Sequence, residues 1–157
     1  MAKKKASEAE RNKALLKARK ALRKARDELP SEEQSLRYLS FMSDFSLTEA
    51  AYKSLLADWL RARGKPTRKE DLKFRSDQIP RVLSYYSIEI SDEDRTLIFD
   101  GRNKTGERNA RGLRNSLAHS PNTKAIEELS EKYDAISASM QTFEAALSAS
   151  NDEKADS

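Results

Sequence analysis

The sequence predicts an all-α protein, and three observations lead to that prediction. Glycine and proline together supply only 8 of the 157 residues, whereas a typical domain uses roughly 12%. Valine occurs once, at Val82, so residues that favour strands are few. Apolar residues recur instead at the three- and four-residue spacing of helices. A length of 157 residues corresponds to a single domain.

Composition also excludes several classes of chemistry. The chain has no cysteine, which rules out disulfide scaffolds, cysteine nucleophiles and cysteine-ligated zinc or iron–sulfur centres. Its single histidine, His119, rules out metal motifs built on histidine pairs. We therefore expect no metal and no cofactor. No apolar run approaches 18 residues, so we expect a soluble, cytoplasmic protein without membrane association.

Charge is distributed unevenly along the chain. The net charge is +7 over residues 1–30, +2 over residues 31–121 and −5 over residues 122–157, for a total of +4. A basic start with an acidic end indicates either contact with nucleic acid or self-complementary packing. A solvated, charged helix surface is the ordinary alternative.

The amino-terminal region reads as a basic tip followed by a basic helix. Residues 1–6 predict a disordered tip, and residues 7–29 predict a helix that Pro30 ends. This helix carries one narrow apolar stripe and is otherwise rich in Lys and Arg: Leu15, Ala18, Leu22, Ala25 and Leu29. We expect residues 7–148 to form one domain, with 7–29 either its first helix or a separate basic arm.

Three capping patterns predict the next helices. Ser31-Glu32-Glu33-Gln34 and Ser46-Leu47-Thr48-Glu49 each read as a capping box, and Thr67-Arg68-Lys69-Glu70 as a third capping signal. These patterns predict three successive helices, the second ending near Gly64 and the third ended or kinked by Pro80.

The second half of the chain alternates short helices with breaks. Residues 88–90 predict a short extended piece, and Ser91 starts a helix that Asp100-Gly101 interrupts. Residues 106–118 predict a short helix with Ala110, Leu113 and Leu117 on one side, before a break at Ser120-Pro121.

The last helix has the clearest pattern, a heptad spacing over three repeats: Ile126, Leu129, Tyr133, Ile136, Met140, Phe143 and Leu147. Either a core helix of an antiparallel bundle or a dimerisation helix fits this seam. Asn122 or Thr123 would cap it, and residues 149–157 predict a disordered acidic tail.

The residues best suited to catalysis lie between Arg102 and Pro121. On a helix, Arg111, Arg114 and Asn115 fall on neighbouring strips of one polar face, and His119 follows where the helix must end. We therefore expect the guanidinium, the amide and the imidazole to share one exposed rim. Arginine binds a phosphate bidentately and stabilises transition-state charge, and histidine exchanges protons near neutral pH. The set suits metal-independent cleavage of RNA. Cations that would line the RNA approach are Arg102, Lys104, Arg108 and Arg111.

The string Leu113-Arg114-Asn115-Ser116-Leu117-Ala118-His119 resembles the signature of HEPN ribonucleases, in which an arginine and a polar residue precede a histidine. In that family the motif ends a helix just before the last long helix of a bundle, and a long heptad helix follows here too. The resemblance therefore implies an HEPN-like helical bundle over about residues 31–148.

The resemblance also implies an activity and partners. HEPN domains usually form homodimers with a composite active site and cleave RNA without a metal, leaving 2′,3′-cyclic phosphate ends. They recur in toxin–antitoxin and antiviral defence systems, so an antitoxin or sensor protein is a further expected partner. Arg114 would bind the scissile phosphate, Asn115 would assist, and His119 would act as the general acid and base. A tyrosine that one toxin branch has two residues after the histidine is Pro121 here, which puts that branch's regulation in doubt.

Two other functional classes fit the same sequence. An HEPN-like bundle could bind RNA or a protein without cleaving, in which case binding survives His119→Ala. A helical adaptor could use the heptad seam and the basic helix to assemble with another chain, without salt-sensitive affinity for nucleic acid.

Overall fold

The structure is a computed structural model that describes residues 7–27, 30–103, 105–119 and 122–155, with the side chains of 25–27 and 152–155 excepted. Within these residues the chain forms six α-helices and one 3₁₀ turn and no strand, which confirms the all-α prediction. Internal contacts divide the chain into two units, residues 1–31 and residues 32–157.

The first unit contains helix α1, Glu8–Asp27. A capping box starts it: the Ser7 hydroxyl accepts a hydrogen bond from the Glu10 amide at 3.3 Å, and the Glu10 carboxylate accepts one from the Ser7 amide at 3.0 Å. Every side chain described from residue 7 to residue 24 is exposed. The predicted tip at 1–6 and the stripe positions Ala25 and Leu29 lie outside the described side chains.

Helix α2, Glu32–Ala62, opens the second unit and is one helix where the sequence predicted two. The predicted boundary at Ser46 is wrong because the hydroxyl groups there do not cap. Ser46 donates to the carbonyl of Met42 at 2.7 Å, and Thr48 donates to that of Asp44 at 2.9 Å. Both hydroxyls are thus satisfied inside an uninterrupted helix.

The segment after α2 is less helical than predicted. The Thr67–Glu70 pattern leads only to a 3₁₀ turn, Lys69–Asp71, because the Thr67 hydroxyl donates to the carbonyl of Lys65 instead of capping. Pro80 lies in the first turn of helix α3, Ile79–Tyr85, so it begins a helix and does not end one. Residues 88–90 belong to no helix or strand, although Ile88 is buried.

The next two helices, α4 and α5, are separated by a break, as predicted. The Ser91 hydroxyl accepts a hydrogen bond from the Asp94 amide at 3.1 Å and caps helix α4, Asp92–Phe99. Asp100 ends α4 as expected. An antiparallel bridge between Arg102 and Arg108 then closes a small loop, and this loop delays helix α5, Ala110–His119, beyond the predicted start at 106.

Helix α6, Thr123–Ala155, packs against α2, α4 and α5 and completes the bundle. The Asn122 side chain accepts a hydrogen bond from the Ala125 amide at 2.8 Å, as the capping prediction required. Because α6 continues to Ala155, the prediction of a disordered tail is wrong for residues 149–155. Residues 156–157 and the predicted break at Ser120-Pro121 lie outside the described residues.

The heptad seam of α6 faces a core rich in aromatic rings. Five of its seven positions are buried: Ile126, Leu129, Ile136, Met140 and Phe143. Phe99 stands at the centre of the core, with ring centroids 5.1 Å from Tyr52 and 5.3 Å from Phe143. Within one chain, the heptad seam therefore packs into the core of the bundle.

Candidate active site on helix α5

Helix α5 is held firmly in the bundle by its inner face and by a glycine contact. Ala110, Leu113 and Leu117 are buried, as predicted. Gly112 lies so close to the preceding loop that a Cβ atom on it would be 2.2 Å from the carbonyl oxygen of Gly101. The Gly101 carbonyl also accepts a hydrogen bond from the Asn109 amide at 3.1 Å. These contacts fix the register of α5, and with it the direction of its outer side chains.

Arg114 is the first of the motif residues and turns toward helix α2. Its guanidinium lies 3.9 Å from the Glu49 carboxylate and 3.4 Å from the side-chain oxygen of Asn115. Glu49 in turn is paired with Lys53 at 2.8 Å. Arg114 keeps 35% of its side chain exposed, so an incoming anion can reach it.

His119 is the last residue of α5, and its side chain is exposed. Asn115, which is also exposed, lies one turn before it on the same side of the helix. Arg114 and His119 are five residues apart, which corresponds to a rotation of about 140° and a rise of about 7.5 Å. The structure thus places Asn115 beside Arg114 and beside His119, but directs Arg114 and His119 to different sides of α5.

Two cations lie near the Phe74 ring. The Arg111 guanidinium lies 5.0 Å from the centroid of the Phe74 ring, and the Lys53 ammonium lies 5.9 Å from it. Lys53, Arg111 and Arg114 therefore bring three positive charges to one surface of α2 and α5, with Glu49 as the acidic partner. We call this set the Phe74 cation cluster.

The other arginines predicted to line the RNA approach make structural contacts. Arg108 donates through two nitrogens to the Glu128 carboxylate and through a third to the Ser116 hydroxyl at 2.6 Å. Its hydrogen bond lowers the pKa of Glu128. Arg102 donates to the carbonyl of Gly106 at 2.7 Å and remains exposed. Lys104 lies outside the described residues.

Lys132 adds to the ion pair between Arg108, in the loop before α5, and Glu128 of α6. Its ammonium donates to the carbonyl of Arg108 at 3.0 Å and lies 3.6 Å from both Glu107 and Glu128. The Arg108 charge is thus offset by an acidic group, whereas the Phe74 cation cluster carries excess positive charge.

Sequence reasoning missed Glu49, Lys53 and Phe74 as members of this surface. The four-residue spacing of Glu49 and Lys53 was visible as a helical ion pair. Their approach to Arg114 and Arg111 depends on how α2 packs against α5, which no local pattern encodes. Glu49 was instead assigned to a capping box that the structure does not form.

The described part of the chain holds no group of three or more acidic or histidine side chains arranged to bind a metal ion. None of its helices combines the length and apolar character that a membrane-spanning segment requires. No protein-family model, curated protein or solved structure matches the chain.

Proposed function

We propose that this protein is a metal-independent endoribonuclease of the HEPN type that acts in toxin–antitoxin or antiviral defence. One observation carries the proposal: immediately before the long helix α6, Arg114 is partly exposed on α5 and Asn115 and His119 are exposed near its end. The buried face of the same helix supplies the packing, so these three polar residues are not needed for the core.

Arg114 supplies the phosphate contact in this proposal. A guanidinium binds two phosphate oxygens at once and stabilises the charge that accumulates in the transition state. Glu49 positions the side chain before RNA arrives, because its carboxylate lies 3.9 Å away, at the limit of an ion pair. An RNA phosphate can therefore replace Glu49 as the partner of Arg114 while Lys53 continues to neutralise the carboxylate.

His119 moves the proton. Its imidazole accepts the proton of the ribose 2′-hydroxyl as the 2′-oxygen forms a bond to phosphorus. The bond from phosphorus to the 5′-oxygen breaks, and the imidazolium returns the proton to that leaving oxygen. The products are a 2′,3′-cyclic phosphate and a 5′-hydroxyl, and the step needs no further reactant.

The geometry of α5 favours a site shared by two copies of the chain. Arg114 and His119 point about 140° apart around one helix, which is a poor arrangement for holding a single phosphodiester. A twofold axis beside α5 would bring His119 of one protomer toward Arg114 of its partner. A homodimer is thus part of the proposal.

The experiment is an RNA cleavage assay in excess chelator that compares wild type with Arg114→Ala and His119→Ala. We expect each variant to lower the rate by at least about 100-fold, because each removes a transition-state contact or the proton carrier. Arg81→Ala is the matched control, since Arg81 is exposed on α3, and its rate should equal that of wild type.

Thermal unfolding of every variant shows whether the fold is retained. Equal cleavage by wild type and His119→Ala would overturn the proposal. RNA binding without any cleavage by wild type would support the non-catalytic binding module instead.

A further inference from the structure

We infer that helix α1 binds the sugar–phosphate backbone of RNA through a continuous cationic face. This inference goes beyond the proposed cleavage site and rests on it only in taking RNA as the ligand. The sixteen residues between Glu10 and Asp27 contain no acidic residue, although half of them are Lys or Arg.

Four of the eight cations between Glu10 and Asp27 form one row along α1. Lysines recur at spacings of four, three and four residues, which places them within about 60° of arc on the helix: Lys13, Lys17, Lys20 and Lys24. Arg23 lies about 60° around the helix from the nearest lysine of this row. The lysine row is about 16 Å long, at 1.5 Å per residue. An RNA backbone carries a negative charge on every nucleotide, so a strand that follows the row meets a cation at each helical turn.

The local structure makes this face available without a folding cost on binding. The Ser7–Glu10 capping box starts the helix, and the chain folds into α1 through its own local contacts. The side chains of Lys13, Lys17 and Lys20 are exposed. A helix that is already formed loses little conformational entropy when a polyanion binds.

The opposite side of α1 argues against a membrane surface as the ligand. That side carries Leu15 and Leu22 among alanines and arginines and contains no aromatic residue. Helices that insert into a lipid interface present a broad apolar face with Trp, Phe and Leu. Alanines bury too little apolar area to provide it. The charged face therefore carries the recognition, and a flexible polyanion fits it best.

The test measures binding of a fluorescent oligouridine RNA to the full-length chain over a range of salt concentrations. His119→Ala is the background, so that cleavage does not consume the probe. The test variant is Lys13→Gln, Lys17→Gln and Lys20→Gln together, because glutamine keeps the helix propensity of lysine. The control variant replaces Lys65, Lys69 and Lys73, which are exposed lysines of the second unit, with glutamine and changes the net charge equally.

We expect the α1 variant to bind at least about tenfold more weakly and to reduce the slope of log affinity against log salt by about 2, since each lost phosphate contact removes about 0.7 for a single strand. The control should keep the wild-type slope. Equal slopes for the two triple variants would overturn the inference, as would binding of α1 to phosphatidylserine vesicles in preference to RNA.

The outcome is separable from that of the proposed function. If the wild-type chain fails to cleave but the α1 variant still loses the salt slope, the α1 inference stands and the ribonuclease proposal falls. If the wild-type chain cleaves RNA but the two triple variants have equal salt slopes, the ribonuclease proposal stands and the α1 inference falls. Circular dichroism of the α1 variant shows that the loss of binding is not a loss of helix.

Discussion

Three asparagines follow arginines between Arg102 and His119. Their surroundings distinguish the asparagines that stabilise the fold from the one that is available to a substrate. The Asn103 side chain accepts hydrogen bonds from the amides of Thr105 and Glu107 and shapes the loop before α5. Asn109 is buried and donates to the carbonyl of Thr96 at 3.0 Å. Asn115 alone among the three is exposed. The Arg-Asn dipeptide alone does not rank them, because it occurs three times in this stretch, and only the resemblance of the string ending at His119 singled out Asn115.

This difference predicts opposite effects for two asparagine substitutions. Asn109→Ala removes a buried hydrogen bond and leaves the Thr96 carbonyl without that donor, so it should cost about 1–3 kcal/mol of unfolding free energy. Asn115→Ala should change stability by less than about 0.5 kcal/mol while lowering the cleavage rate. Denaturant unfolding and RNA cleavage of both variants test this; a destabilised Asn115→Ala with unchanged cleavage would contradict it.

The Arg108–Glu128 pair predicts a stability that depends on pH. The Arg108 hydrogen bond lowers the pKa of Glu128 in the folded chain, so folding favours the ionised carboxylate. The resulting stabilisation is present above the ordinary pKa of a glutamate and is lost as pH falls through the lowered folded value. Glu128→Gln should therefore cost about 1–3 kcal/mol at neutral pH and close to nothing in acid.

The matched control is Asp58→Asn, which breaks the exposed ion pair between Asp58 and Arg61 on α2. It should change unfolding free energy by less than about 0.5 kcal/mol at either pH. Chemical denaturation of the two variants and wild type at neutral and acidic pH provides the comparison. A Glu128→Gln deficit of the same size at both pH values would show that ionisation is not its cause.

At the scale of elements, serine positions show how a local pattern can mislead. Ser91 and Ser46 each precede an acidic residue by three positions, as helix-capping serines do. Ser91 caps α4, but Ser46 lies inside α2 because the apolar face continues through it, with Phe45 and Tyr52 both buried. Tertiary packing decides between the two outcomes, so the boundary could not be read from the pattern alone.

Alanine substitutions at the two serines should change the free energy of unfolding in opposite directions. Ser91→Ala loses a cap and should destabilise the chain by about 1 kcal/mol. Ser46→Ala replaces an interior residue with a better helix former and should stabilise it by a few tenths, roughly 0.5 kcal/mol at most. Thermal unfolding measures both effects. A loss of stability in Ser46→Ala as large as that in Ser91→Ala would indicate that Ser46 does cap a helix.

The contact between Gly112 and Gly101 offers a second test at this scale. Alanine normally stabilises a helix interior over glycine by about 1 kcal/mol. Gly112→Ala should nevertheless destabilise by about 1–3 kcal/mol, because the new Cβ meets a backbone carbonyl that cannot rotate away. Gly101→Ala is the control, since a Cβ there meets nothing within 4 Å. Equal stability of the two variants would mean that α5 is not anchored by this contact.

For the whole molecule, the sequence could predict the class of fold and most of the core, since the heptad seam of α6 and the inner face of α5 follow from periodicity. Asn115 and His119 share one side of α5 as predicted, but Arg114 does not share it with His119, because five residues turn a helix by about 140°. Glu49 and Arg114 are 65 positions apart in the sequence, and Phe74 and Arg111 are 37 apart, so only the packed bundle brings each pair together.

The proposed site shared by two protomers predicts rescue between inactive chains. If Arg114 of one protomer acts with His119 of its partner, a mixed dimer of Arg114→Ala and His119→Ala contains one intact site. An equal mixture after subunit exchange should regain about a quarter of the wild-type cleavage rate, because half of the dimers are mixed and each has one site. Activity no greater than that of the separate variants would place both residues in one protomer.

The most direct test of RNA cleavage by 2′-hydroxyl attack uses the substrate itself. Once a cleaved RNA is found, the same RNA is prepared with a single 2′-deoxynucleotide immediately 5′ of the scissile phosphate and incubated with wild type in excess chelator. We expect the unmodified RNA to yield a 2′,3′-cyclic phosphate and the modified RNA to remain intact at that position. Cleavage of the modified RNA at the same phosphate would contradict the mechanism, since its attacking hydroxyl is missing.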